Sequence, residues 1–446
     1  MLAITNATIV TMDPQRRVIE DGAVIVEGQR IVAVGTRALL ASEYDLRDAI
    51  DGKGGVITPG LIDGHNHPSN YLVGGYGDDL DVFTLLSKVF YPFESLVTAD
   101  ETVTGALATF AEMIRSGVTC FNDPGGYMPD QIGEAARSIG IRGIICRSTR
   151  DLGGHYGEDN TDDAFAKAIE TADKWQGQAD GRLRGWLGIR VPSHASDELI
   201  VRVSDAARSR GVGLHTHASA AEFEHRQSIA TFGKRTLERF HDLGILGPNL
   251  FVVHMGFIDE REIEWVVQHH VKVAHCPIAS LTGAWGIIKR LRIPEMMKRG
   301  VTVCLGSDTN FGSGSLDMFR QMFFCATGHR EAHDDPSLIG AQRALEMATI
   351  DSARALLWDD EIGSIEIGKK ADLVLMDRSH LEWHYPGRDT VRSLVYGGSR
   401  ADVRTVVIDG RVVLRDGVLM TVNEHDLALT VSAAGKAWRS RTATLS

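Results

Sequence analysis

Between residues 59 and 361, short apolar runs alternate with helix-patterned stretches, and this alternation restricts the fold more than any other feature of the chain. GVTCFND, IRGIICRS, GWLGIRV, GVGLHTHA, NLFVVHMG, VKVAHCP and VTVCLGSD have the length and apolar density of parallel strands buried on both faces. ADETVTGALATFAEMIRSG, with Asp100 as a helix cap, lies between them, as do SDELIVRVSDAARSRG, DEREIEWVVQHH and IPEMMKRG. Strand–helix alternation at this rate means a parallel sheet with helices outside. Seven or eight such units favour a closed α/β barrel over an open sheet. No G-x-G-x-x-G follows a first strand, which argues against dinucleotide binding.

The two ends have a different texture. AITNATIV, AVIVEG and RIVAVG near the start, and KKADLVLMD and VRTVVIDGRVVLRDG near the end, read as short strands punctuated by turn residues. Neither end holds enough strands for a stable sheet. Pairing them gives one composite β domain, residues 1–58 with 362–446, and makes residues 59–361 a large insertion. EHDLALTVSAAGKAWRSR reads as a C-terminal helix at about 424–440 on the outside. A net charge of −12 argues against nucleic acid as a partner and leaves a small-molecule substrate. No window is apolar enough to span a membrane and the N-terminus has no leader pattern, so a cytoplasmic location is expected. Cys120, Cys146, Cys276, Cys304 and Cys325 are odd in number and form no C-x-x-C pair, which disfavours a disulfide framework or a thiolate zinc knuckle.

The positions of the histidines carry the chemistry. His65 and His67 in GLIDGHNHPSN lie two apart in extended chain, so both side chains point to one face. His215 and His217 repeat the pattern at the end of another strand, and one of them makes a third ligand. His254, His275 and Asp308 each close a further apolar run. One histidine at a strand end is ordinary packing; four successive histidine strands followed by an aspartate strand are not. Imidazoles and a carboxylate meeting at one barrel rim suit one divalent cation, Zn²⁺ first, with Fe²⁺ or Mn²⁺ also compatible. Water at an open coordination position would become acidic, Asp308 could take its proton, and His254 or His275 could orient it or polarise the scissile group. His194 in RVPSHAS, Trp285 and Phe311 are candidate substrate contacts, the two aromatics as a wall for a planar ligand. Asp123 in CFND could orient a metal-bound histidine or cap a turn.

Longer stretches carry a resemblance. PGLIDGHNH, YPFESLVTADETVTGALATFAEMIRSGVTCFND, VVHMGF, AHCPIAS, LGSD and ATIDSARALLWDDEIGSIEIGKKADLVLMD occur in the order seen in the amidohydrolase superfamily. The chain is most similar to its branch of methylthioadenosine/S-adenosylhomocysteine deaminases, guanine deaminases and s-triazine hydrolases. The resemblance implies a distorted (β/α)8 TIM barrel with a small composite β-sandwich domain. It implies one metal ion held by His65, His67, His217 and Asp308, with Asp308, His254 and His275 in catalysis, and a homodimer or homotetramer. The implied reaction is hydrolysis of a non-peptide C–N bond in a small N-heterocyclic, urea-like or amide-like substrate by metal-activated water. The chain departs from this pattern at one position. These deaminases carry a proton-shuttling Glu three residues after the third ligand, where this chain has Ala220. Glu222 and Glu224 follow in a different register, and Glu222 is the expected substrate contact. The segment LTGAWGIIKRLRIP also differs from the family's shorter loop. The missing Glu keeps two alternatives open: C–halogen or C–S hydrolysis at the same metal site, or a catalytically silent scaffold.

Overall fold

The computed structural model describes residues 1–126, 128–153, 160–310 and 314–442. The chain opens with β1 (Leu2–Val10), β2 (Val18–Glu27), β3 (Arg30–Thr36) and β4 (Ile50–Pro59). It then runs through nine short strands: β5 (Leu61–Asp63), β6 (Val118–Asn122), β7 (Arg142–Ile145), β8 (Leu183–Gly185), β9 (Leu187–Ile189), β10 (Leu214–Ala218), β11 (Leu250–His254), β12 (Lys272–His275) and β13 (Val303–Leu305). It returns with β14 (Leu373–Met376), β15 (Val403–Ile408), β16 (Arg411–Arg415) and β17 (Val418–Leu419).

The nine inner strands close into a barrel. β5 to β8 pair in parallel, as do β9 to β13. β8 and β9 are two halves of one bent stave on either side of Trp186, whose N–H donates to the carbonyl of Ile145 at 3.0 Å. The last seam runs between β5 and β13: Gly64 N–H donates to Leu305 O at 2.9 Å, Asp308 N–H to His65 O at 2.9 Å, and His67 N–H to Asp308 O at 2.8 Å. Closing this seam brings the first histidine pair and the aspartate side by side at the carboxyl ends of the strands, where barrel enzymes place their chemistry. Helices cover the outside. The helix Ala99–Arg115 starts at a capping box in which Thr98 and Glu101 exchange hydrogen bonds. Its cap is therefore Thr98, and Asp100 sits within the first turn. Gly117, at φ +81°, ends the segment in the left-handed region that glycine enters freely.

The chain ends share one eight-stranded sheet, in the order β17-β16-β15-β14-β4-β1-β2-β3. Period-two alternation divides its side chains. Ile57, Leu373, Leu375 and Val407 join Ile4, Ile9 and Val24 in one cluster. Their neighbours Val56, Val374, Met376 and Val406 face the other way, into the barrel core. A buried ionic junction fastens the two parts. Arg142, at the start of β7, gives two hydrogen bonds to Asp372, at 2.7 and 3.0 Å, and a third to Asp409 at 3.2 Å. Glu424–Thr442 forms the C-terminal helix, and its Trp438 packs edge-on against Phe93 at 5.0 Å. Among the described residues, no helix is long and apolar enough to cross a membrane.

Candidate metal centre

β5 carries Asp63 and runs on through Gly64 into His65-Asn66-His67. A Cβ on Gly64 would sit 2.6 Å from the Cys304 sulfur and 2.9 Å from Leu305 O, so only glycine lets the two strands meet here. Asp63 lies beneath the site. Its carboxylate accepts from the backbone of Ser307 at 2.9 Å and of His65 at 3.3 Å, and also from the Ser307 hydroxyl. Burial pushes Asp63 up to about 7 against those hydrogen bonds.

The ring nitrogens converge in a defined way. His217 Nδ1 lies 2.9 Å from the carbonyl oxygen of Arg190, which can only accept, so Nδ1 holds the proton and Nε2 presents a lone pair. That lone pair faces His65 Nε2 at 3.2 Å. On its other side, His65 Nδ1 meets His215 Nε2 at 3.1 Å. Asp308 Oδ1 is 3.5 Å from both His65 Nε2 and His67 Nε2, and Oδ2 is 4.0 Å from His254 Nε2. Donor atoms that share a cation at 2.0–2.1 Å in tetrahedral geometry lie about 3.3 Å apart. The spacings here match that figure, and two sets, His65–His67–His217 and His65–His254–Asp308, have all donor atoms within 4.8 Å. Burial holds His65, His217 and His254 down at about 3, and burial with neighbouring imidazoles holds His67 well below its usual value. The histidines are therefore neutral bases at pH 7. Neutral imidazoles, with a lone pair aimed at the centre and an adjacent carboxylate, form a donor set that fits a divalent cation.

The backbone is bent to achieve this. His254 has φ +81°, Asp308 +66° and Ser219 +55°, left-handed conformations that cost a non-glycine residue roughly 1–2 kcal/mol. Strain of this kind gathers where function fixes a side-chain direction.

A cavity of about 430 Å³ opens above the cage, with His67, His217, His254 and Asp308 at its base. Phe90, Tyr91, Phe223 and Trp285 make much of its wall. Trp285 meets the His254 ring edge-on at 4.8 Å. Arg190 enters the wall already paired with the buried carboxylate of Glu94, at 2.7 and 3.1 Å.

Most of the residues singled out in the sequence meet here: His65, His67, His217, His254 and Asp308 at the base, His194 and Trp285 on the wall. His275 does not. It is fully buried and its Nε2 faces His329 Nε2 at 3.2 Å, on the helix Met318–His333, away from the cavity wall. Glu222 is also displaced: its side chain is 66% exposed and pairs with Arg226 at 3.7 Å. The helix Glu222–Phe232 begins at that residue and turns it outward. Asp123 caps a turn, accepting from Gly125 N–H at 3.1 Å. Phe311 lies outside the described residues. Sequence reasoning passed over Arg190, whose carbonyl sets the His217 tautomer, and gave no role to Glu224, which lines the cavity. A Glu at the third position of a helix is a known signal for a carboxylate that reaches back to free backbone N–H groups.

The amidohydrolase family matches residues 56–413, a span that contains every cage residue. The chain belongs to the amidohydrolase family. Curated relatives extend the match over nearly the whole length of this amidohydrolase. A 5'-deoxyadenosine deaminase of Methanosarcina mazei is 32% identical over 426 residues, 95% of each chain. A 5-methylthioadenosine/S-adenosylhomocysteine deaminase of Syntrophobacter fumaroxidans is 34% identical over 430 residues, 96% of this chain and 95% of that one. Among solved structures, an adenosine deaminase from Xanthomonas campestris with bound zinc superposes with a TM-score of 0.91 at 29% identity, covering 99% of this chain and 98% of that one. The fold is thus that of the amidohydrolases, a distorted TIM barrel with a β domain.

Proposed function

We propose that this amidohydrolase uses one divalent ion, zinc in the resting enzyme, to hydrolyse a non-peptide C–N bond of a small, neutral N-heterocyclic substrate. The observation that carries this reading is the set of neutral imidazole donors and Asp308 at the base of a largely apolar cavity. The deaminase names of the curated relatives support the C–N bond, and the zinc in the solved relative supports the metal.

His65, His67, His217 and Asp308 would hold the ion. An ion so held would supply Lewis acidity and lower the pKa of a water beside it. Arg190 O keeps the His217 proton on Nδ1, so that Nε2 remains a donor. Asp308 Oδ2, the oxygen nearer His254, takes a proton from the attacking water. His254 Nε2 faces the same space and steadies the charge that develops on the attacked group, and the Trp285 ring holds the imidazole in that orientation. The aromatic wall takes the planar heterocycle and excludes bulk water, which strengthens each polar contact at the base.

The experiment is a release assay on the zinc-loaded protein with a panel of amino-, alkylamino-, chloro- and alkylthio-substituted purines and s-triazines. Ammonia or amine release that a chelator abolishes is expected, and Asp308→Asn should lower it by about 10²–10⁴-fold or more. Turnover indifferent to the chelator would end the reading. Release of chloride or thiol alone would transfer the site to the other bond class, and a protein that binds no metal and turns over nothing would be a scaffold.

A further inference from the structure

Breaking a C–N bond on an aromatic ring requires a proton on the departing nitrogen, because amide ion is a poor leaving group. Asp308 is occupied with the metal and the water. The place where related deaminases carry their acid holds only the methyl group of Ala220. Among the described residues, the cavity wall contains two carboxyl groups, Asp308 and Glu224.

Glu224 belongs to the first turn of the helix Glu222–Phe232. Its two oxygens accept backbone N–H groups from the loop that follows His217: Oε1 from Ser219 at 2.9 Å and Oε2 from Ala220 at 2.8 Å. A Glu at position 220 would project from this loop directly. Glu224 brings its carboxyl to the same two residues from the opposite direction, out of the helix. Each oxygen keeps a further lone-pair site after those bonds, so the carboxyl can hold a proton without breaking either of them. Burial, partly offset by the two N–H groups, raises the Glu224 carboxyl above its ordinary value, which favours the protonated acid.

We propose that Glu224 replaces the missing acid and delivers the proton to the departing nitrogen. This rests on the C–N reading above. Water attacks the ring carbon, a C–O bond forms, and Asp308 takes one water proton. Glu224 gives its proton to the exocyclic nitrogen and the C–N bond breaks with release of ammonia. The new hydroxyl returns its proton to Glu224, and Asp308 passes its own to the ring nitrogen, leaving a carbonyl. Glu224 finishes protonated and Asp308 ionised, as they began.

The test compares 5′-deoxyadenosine with its 6-chloro counterpart, and amino-s-triazines with their chloro counterparts, on zinc-loaded wild-type and Glu224→Gln proteins. Chloride leaves without a proton and ammonia does not. Glu224→Gln should lower kcat on the amino substrates by about 10²–10⁴-fold while chloride release falls less than about tenfold. Retained chloride release shows that the variant is folded. Adding Ala220→Glu to Glu224→Gln should restore amino turnover. In a second readout, the pH-dependent infrared carboxyl difference between metal-free wild-type and Glu224→Gln proteins should place the Glu224 midpoint above the ordinary value of a glutamate. Equal losses on amino and chloro substrates, full amino activity in Glu224→Gln, or a Glu224 midpoint at or below the ordinary value would overturn the proposal. Wild-type protein that shows the raised midpoint but releases no ammonia would overturn the C–N reading instead.

Discussion

The junction between barrel and sheet permits a quantitative prediction. Arg142 is fully buried, and Asp372 and Asp409 beside it are 3% and 0% exposed in their side chains. Asp372 takes two of the guanidinium's hydrogen bonds and also accepts Asp409 N–H at 2.7 Å. Asp409 is shared with Lys370 at 3.3 Å and Arg182 at 3.9 Å, so it cannot neutralise Arg142 alone. Asp372→Asn therefore leaves a buried cation without its main partner, a change that costs roughly 3–5 kcal/mol. Against a typical domain stability of about 5–15 kcal/mol, this is a large share. Removing the charge together with its partner, as in Arg142→Met with Asp372→Leu, should cost much less, because no unpaired ion remains. Urea unfolding of the three proteins would measure both effects, with zinc content recorded alongside. Asp372→Asn costing under about 1 kcal/mol, or a double variant at least as unstable as Asp372→Asn, would refute the reasoning.

Three further outcomes follow from the site. The cage histidines with folded-state values of about 3 should begin to take protons only far below the usual 6.5. Zinc retention in equilibrium dialysis should hardly change from pH 7.5 to 5.5 and fail as pH approaches 3; a steep loss centred near 6.5 would contradict this. Gly64→Ala forces a Cβ against Cys304 and Leu305 beside His65, and should destabilise the protein by about 1–3 kcal/mol and weaken zinc binding. A variant with wild-type unfolding and zinc affinity would show that the seam is looser than described. Trp285→Ala removes an edge-on ring worth about 0.5–1.5 kcal/mol and should lower kcat/KM by roughly two- to tenfold with zinc content unchanged.

How much the sequence revealed depended on the range of the interaction involved. His65, His67, His217, His254 and Asp308 could be identified because each lies at or just beyond the carboxyl end of a strand, and a barrel gathers strand ends at one rim. Composition at both termini suggested the shared sheet, since neither half can bury its apolar face alone. His275 also ends a strand, yet it serves another partner. Its neighbour His329 sits on a helix more than fifty residues further on, and packing alone decides that such a pair meets. Glu222 and Glu224 share the first turn of one helix, and where that helix begins decides which of them faces the site. With the first turn starting at Glu222, two residues change an exposed side chain into a half-buried one that turns back to the backbone of Ser219 and Ala220. A shift of that size is within the usual uncertainty of helix ends, whereas the fold and the metal ligands do not depend on it. Arg190 acts through its backbone carbonyl, a role that side-chain chemistry cannot signal.

The sheet made from both termini also shapes how the protein is synthesised. β4 leaves the ribosome early, but its neighbour β14 follows only after about 300 further residues, some 15–60 s later at ordinary elongation rates. Throughout that interval Val56, Ile57 and Thr58 present a bare strand edge, open to the same edge of another nascent chain. A ribosome that stalls inside the barrel would release a sticky fragment instead of a smaller working enzyme.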